Sequence, residues 1–226
     1  MVPLRARLAG LLTALLVPAA RAPADALDDW LARQAELRTW SAGFTQARAL
    51  PALTMPITTP GRVWFAAPDG FRWELGDPAQ TIAVRQPVRF LVLYPRLRRA
   101  EEYPVEAGDG RAPWQQTLAL LEAGFPRDRA ALERQFTVAG PPERAGAGWA
   151  VTLAPRAAGA RRFLSAVRIE FDPARAGPAA MELRFADGAR LRNDFTNAVV
   201  NAELPAGLLT PEIPADFQRT TPAAGR

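Results

Sequence analysis

The chain has 226 residues, 49% of them apolar, with 28 basic and 23 acidic side chains and a net charge of +5. One domain is the natural count for that length, and the apolar share is enough for a sizeable core. There is no His and no Cys, which removes His-based triads, His proton shuttles and most zinc sites together, and leaves the redox compartment open. Every basic residue is Arg.

At the N-terminus Arg5 and Arg7 precede the apolar run Leu8 to Val17, followed by the small-residue stretch Pro18 to Ala26. Positive charge, short greasy run and small residues in that order are the pattern of a cleavable export signal. The run falls well short of the roughly 20 residues that span a bilayer. Cleavage is expected after Ala22 or Ala26, so residues 1–26 are read as a signal peptide and 27–226 as a single domain. Without Cys the processed N-terminus has no site for a bacterial lipid anchor. Loss of Arg5, Arg7, Arg21 and Asp25 takes the net charge from +5 to +3. The remaining Arg residues are scattered and alternate with Glu or Asp, whereas a nucleic-acid binder concentrates charge on one element.

Asp25 can cap a helix whose apolar residues Leu27, Trp30, Leu31 and Ala35 fall on one stripe, with an end expected near Trp40. Gly43 to Ala49 reads as a first strand. Pro51, Pro56 and Pro60 predict an irregular crossing. Gly61 to Leu75 is the central feature: Val63 and Phe65, then Phe71, Trp73 and Leu75, alternate on either side of Asp69-Gly70, so two aromatic-rich strands meet at a tight turn. Thr81 to Arg85, Val88 to Tyr94 and Arg98 to Val105 continue an antiparallel meander. Pro113, Trp114, Leu118 and Leu121 predict a helix ended by Gly124, and a short helix is expected over Arg127 to Arg134. Strands return at Phe136 to Val138 and Trp149 to Leu153. Val167 to Phe171, Met181 to Phe185 and Leu191 to Phe195 then put apolar residues on one face and charges on the other.

Such a sheet has a dry face that something must cover. Roughly ten seven-residue strands make a face of about 23 by 48 Å, more than the expected helices over 26–38 and 113–134 can blanket. The fold class expected is therefore α+β: an open, incomplete antiparallel β half-barrel with helices covering its concave apolar face. Between sheet and helices lies either close-packed side chains or a ligand space.

The order of helix, Phe44-x-Gln46, Gly61-x-Val-Trp-Phe-x-x-Pro68-x-x-Phe71-Arg72-Trp73-Glu74, Tyr94-Pro95, Asp187-Gly188, Phe195-x-Asn197 and Asn201 resembles the LolA family of periplasmic lipoprotein carriers. The Pro-x-x-Phe-Arg-Trp-Glu stretch is the specific part. The chain departs from proteobacterial carriers in having Ala66-Ala67 before Pro68, Gln86-Pro87 in place of a glycine turn, and Leu208 or Leu209 where a Phe is expected. The resemblance implies a monomeric carrier without a cofactor. It receives acylated lipoprotein or lipid cargo from an inner-membrane ABC transporter and delivers it to an outer-membrane acceptor. At ~0.8 kcal/mol per methylene, three acyl chains of about 45 methylenes lose roughly 36 kcal/mol on entering water, so cargo must pass mouth to mouth.

The cavity lining expected on this reading is Val63, Phe65, Phe71, Trp73, Ile82, Val84, Phe90, Ile169, Phe171, Met181, Leu183, Phe185 and Phe195. Arg72, Trp30, Leu31, Trp114 and Leu118 are expected at a lid or rim, and Asn197 and Asn201 in turns or caps. Catalysis is not expected: Ser41 and Ser165 have no His to activate them, and the adjacent pairs Asp28-Asp29 and Glu101-Glu102 point apart. The rival function is a periplasmic sensor on the same half-barrel, which binds lipoprotein or lipid and signals to a protein partner.

Overall fold

The computed structural model describes residues 23–104 and 123–221. Helix α1 (Pro23–Ala35) leads into β1 (Thr39–Ala49), β2 (Ile57–Ala66), β3 (Gly70–Leu75), β4 (Thr81–Arg85), β5 (Arg89–Tyr94) and, after a 3-10 turn at Pro95–Leu97, β6 (Arg99–Pro104). Beyond residue 123 come α2 (Arg129–Gln135), β7 (Phe136–Val138), β8 (Glu143–Ala145) and β9 (Gly148–Pro155). A short α3 (Ala158–Arg161), β10 (Leu164–Phe171), β11 (Ala180–Phe185), β12 (Arg190–Val200) and β13 (Gln218–Thr220) complete the order.

The strands form one sheet in the order β13-β6-β5-β4-β3-β2-β1-β12-β11-β10-β9-β7, with β8 paired to β9. Its ends, β13 and β7, do not meet, so the expected open α+β half-barrel is what the chain forms. Every pairing is antiparallel except that of β13 with β6. The hinge of the topology is β1, which pairs with β2 on one side and with β12 on the other. It thus joins an N-terminal meander to a C-terminal one.

Three local expectations are corrected. The first helix ends at Ala35, and Trp40 lies in β1 opposite Phe65. Asn201, whose side chain accepts from the N–H groups of Arg38 and Thr39 at 2.7 and 3.3 Å, fixes the turn between them. This is the capping role expected of it. Second, the irregular stretch is shorter than Pro51 to Pro60, because β2 begins at Ile57. Pro60 is tolerated there because only its carbonyl is used: it accepts from the N–H of Gly76 at 2.8 Å. Third, β8 and β13 have no counterpart in the sequence pattern; each has three residues, too few to show a period. The helix expected from Pro113, with Trp114 and Leu118, lies outside the described residues.

Alternation along the register gives each face its composition. On the concave side, Val63, Phe65, Phe71 and Trp73 join Trp40, Ala42 and Phe44 in one buried cluster. Trp149, Val151, Leu153, Val167, Ile169, Phe171, Met181 and Leu183 join α1 in another. The convex side divides in two. Over β9 to β12 it is wet and carries a ladder of charges: Glu143 pairs with Arg168, Arg168 with Glu170 at 3.6 Å, Glu170 with Arg192 at 2.9 Å, and Arg192 with Asp194 at 2.7 Å. Over β3 to β6 it is dry, because Ile213 and Phe217 of the C-terminal segment pack on Ile82, Val84, Leu91, Leu93 and Ala100.

The hydrogen bonds from Arg192 hold the Glu170 carboxyl below the usual carboxylate range against the opposing effect of burial. Since the folded pKa is depressed, that contribution to stability is complete above the unfolded pKa and is lost as pH falls through the folded one. Glu170→Gln is expected to lower stability at neutral pH by up to about 1 kcal/mol. The gap from wild type closes in acid, as read from urea midpoints across the acid range.

Candidate functional site

The concave face is floored by a continuous row of aromatic rings. Phe44 lies 4.0 Å from Trp73 and 6.1 Å from Phe195, and Trp73 lies 6.0 Å from Phe71, all between ring centroids. Trp40 meets Phe195 edge-on at 5.3 Å. Phe44 reaches Trp73 across the intervening strand because Gly61 stands opposite it; a Cβ at Gly61 would run into the Phe44 ring.

Among the described residues, three segments cover the concave face. Helix α1 buries Ala26, Leu27, Trp30 and Leu31, with Trp30 stacked on Phe171 at 4.9 Å. The segment entering α2 sends Phe125 between Phe65, stacked at 4.7 Å, and Trp40 at 5.0 Å. The loop from β10 to β11 lays Gly177, in the left-handed region at φ +83, directly on the Trp40 indole, where a Cβ would collide.

Among the described residues, the following polar bonds tie these covers together. The Gln34 side chain, 4% exposed, accepts from Gly177 N–H at 2.9 Å and donates to the Gly124 carbonyl at 3.0 Å. Trp30 Nε1 donates to the Gly177 carbonyl at 3.1 Å. Arg129 of α2 pairs with Asp28 of α1 at 2.6 Å, a hydrogen bond that raises the Arg129 pKa. A cavity of about 170 Å³ remains between the β2–β3 hairpin and the α2 segment, with Phe65, Phe71, Phe125, Leu132 and Phe136 in its wall and Arg85 and Arg127 among its polar members. This is below the roughly 300–1,000 Å³ of preformed ligand pockets. Around it the described side chains of the concave face are buried against one another and against these covers. A count of helices alone leaves out the contributions of Phe125 and the Gly177 loop.

The expected lining residues separate by register. Val63, Phe65, Phe71, Trp73, Phe90, Ile169, Phe171, Met181, Leu183, Phe185 and Phe195 lie on the concave side, Phe90 in a satellite cluster with Val92, Tyr94 and Tyr103. Ile82 and Val84 do not. They pair with Glu74 and Arg72 and point to the convex face. There the C-terminal segment covers them, and a strand covered on both sides gives no alternation to set its phase. Arg72 is likewise not at a lid or rim: it pairs with Glu74 at 2.6 Å and donates to the Leu208 carbonyl at 3.0 Å, fastening the C-terminal segment to the convex side. Trp30 and Leu31 sit in the α1 cover. Trp114 and Leu118 are outside the described residues.

Two elements of the site escape the sequence reading. Gln34 looks like any polar residue of an amphipathic helix, and only its buried position reveals its role. At the β5–β6 edge of the concave face, Glu101 accepts from the phenols of Tyr94 and Tyr103 at 3.3 and 2.9 Å and pairs with Arg99 at 3.1 Å. Burial first, and then the neighbouring carboxylate, push Tyr103 up to about 12 and Tyr94 upward. These phenols stay neutral donors. Among the described residues no group of three or more acidic side chains is placed to hold a metal ion.

Residues 35–211 match the family described as outer membrane lipoprotein carrier protein LolA. The chain belongs to the LolA family. An outer-membrane lipoprotein carrier protein of Methylibium petroleiphilum is 30% identical over 195 residues, which cover 86% of this chain and 89% of the relative. One from Leptothrix cholodnii is 31% identical over 165 residues, covering 73% and 71%. Among solved structures, an uncharacterized conserved protein from Thermus thermophilus is similar in fold, with a TM-score of 0.52 at 14% identity over 88% of this chain and 98% of that one. LolA carriers are binding proteins and not enzymes, in keeping with a concave face made of aromatic rings. No helix among the described residues is long and apolar enough to cross a membrane.

Gln34→Leu keeps the volume of the side chain but leaves Gly177 N–H and the Gly124 carbonyl unpaired, at an expected cost of roughly 1–3 kcal/mol. The loss should fall on the covers. Hydrogen exchange is expected to quicken in α1 and at residues 123–136 while the β1, β2 and β12 amides keep their protection.

Proposed function

We propose that this protein is exported to the periplasm and carries the acyl chains of lipoproteins on its concave aromatic face. In the fuller form of this reading an inner-membrane ABC transporter complex hands over the cargo, and an outer-membrane acceptor takes it. The observation that carries the reading is the aromatic floor of Phe44, Phe71, Trp73 and Phe195 beside covers whose described polar ties include those of Gln34 and Arg129. Membership of a family of lipoprotein carriers supports it.

The covers described on the concave face give the mechanism its form. Cargo enters where α1 and residues 123–136 move off the sheet, and the acyl chains then take the place of Trp30, Leu31 and Phe125 on the concave face. Such exchange is nearly balanced, since apolar side chains and acyl chains bury similar surface at roughly 25 cal/mol per Å². That balance suits a carrier, which must release what it holds. The bonds of Gln34 and Arg129 set how often the covers lift.

Export also requires processing of the N-terminus. Ala26 is fully buried in the core with Leu27 and Trp30, which favours cleavage on the amino side of Ala26, in place of a mature chain starting at residue 27. Sequencing the N-terminus of the protein recovered from the periplasm is expected to show Ala26 retained.

Trp73→Glu places a carboxylate on the floor, at a position 8% exposed. Extraction of acylated lipoprotein from inner-membrane vesicles is expected to fall at least tenfold, because an ionised carboxylate buried against acyl chains is not compensated. Arg62→Glu, on the convex side of the same hairpin, serves as control. Normal extraction by the Trp73 variant would remove this face from the cargo site.

A further inference from the structure

The hairpin of β1 and β2 runs past the end of β3, and on its other flank β12 accompanies β1 as far as Ala49 opposite Arg190, so the turn of residues 50–56 projects beyond the paired strands. β3 pairs only with Gly61–Ala66 of β2, so Ile57–Pro60 have β1 as their sole strand partner on that side. The tip of this arm is apolar and exposed: Leu53 at 46%, Met55 at 77% and Ile57 at 53%, between Pro51 and Pro56. Nothing in the carrier reading uses these side chains. The sequence has no acidic residue between Glu36 and Asp69. At the base of the tip stand Arg48 and, on the neighbouring strand, Arg190, both exposed. Neither makes an ion pair among the described residues. Of the nearby carboxylates, Asp194 pairs with Arg192, while Asp187 accepts from Ala189 N–H at 2.9 Å and keeps its charge.

We propose that this arm is a membrane-contact device: Leu53, Met55 and Ile57 insert into the interfacial region of an anionic phospholipid bilayer while Arg48 and Arg190 meet its headgroups. Three apolar side chains within five residues are a footprint far below the roughly 800 Å² per partner of a specific protein complex. A bilayer demands no shape complementarity, and apolar insertion backed by basic residues is how peripheral proteins hold to anionic lipid. The two flanking strands make the tip a fixed projection. The arm is separate from the aromatic floor, so contact with the membrane and uptake of cargo can be tested apart.

The absence of Cys allows a clean probe. Met55→Cys, labelled with an environment-sensitive dye, is expected to shift to the blue with phosphatidylethanolamine–phosphatidylglycerol vesicles and much less with phosphatidylcholine vesicles. Thr137→Cys, on the β7 edge, is expected to stay unchanged. In flotation, the triple variant Leu53→Ser, Met55→Ser, Ile57→Thr is expected to bind the anionic vesicles about tenfold more weakly, and Arg48→Gln with Arg190→Gln to lose most of the preference for anionic lipid. Both should take up a fluorescent acyl chain as wild type does. Failure of that uptake in wild type would count against the carrier reading and leave the arm standing. The proposal is overturned if the dye at position 55 does not respond to lipid vesicles or if the triple variant floats like wild type. A dye response only to membranes that retain their proteins would also overturn it, in favour of a protein partner.

Discussion

Phe44 lying across the bare α-carbon of Gly61 is the contact that the concave face is built upon. With no side chain at Gly61, an aromatic ring on β1 meets one on β3 over the top of β2, at 4.0 Å from Trp73. On its other side the same ring meets Phe195 of β12. Two meanders distant in sequence therefore share one apolar floor, and any chain that covers it must cover both.

That floor sets the character of everything packed on it. An isolated sheet with such a face would aggregate, so the chain commits α1, Phe125 and the Gly177 loop to hiding it. Among the described residues the covers hold through apolar contact and through buried polar ties such as that of Gln34, where a lost partner is costly. A face that is satisfied by its own chain, yet equally by another apolar surface, is the physical condition for reversible exchange. Opening requires a ligand with differential affinity for the uncovered state, the part that the proposed function gives to acyl chains.

The two sides of the sheet show how far alternation can be trusted. Over β10 to β12, Arg168, Glu170, Glu182 and Arg192 face water, so Val167, Ile169, Met181 and Leu183 are assigned to the core by period alone. Over β4 the same reasoning puts Ile82 and Val84 on the wrong side. Ala83 between them is small and apolar, and the residues that make their face dry, Ile213 and Phe217, are more than a hundred positions away. Arg72 misleads for the same reason: flanked by Phe71 and Trp73 it invites a role at a cavity mouth, while its partners Glu74 and Leu208 lie on the far face.

By itself the sequence determined the α+β class, the antiparallel meanders, the aromatic hairpin from Gly61 to Leu75 and the family, since each rests on local period, turn residues or a contiguous motif. Only the tertiary structure decided which face Ile82, Val84 and Arg72 occupy, that Gln34 is a buried tie and that Phe125 and Gly177 complete the cover. Those facts depend on register between strands and on segments brought together from opposite ends of the chain. No local pattern carries that information, because the free energy that selects it comes from non-local burial.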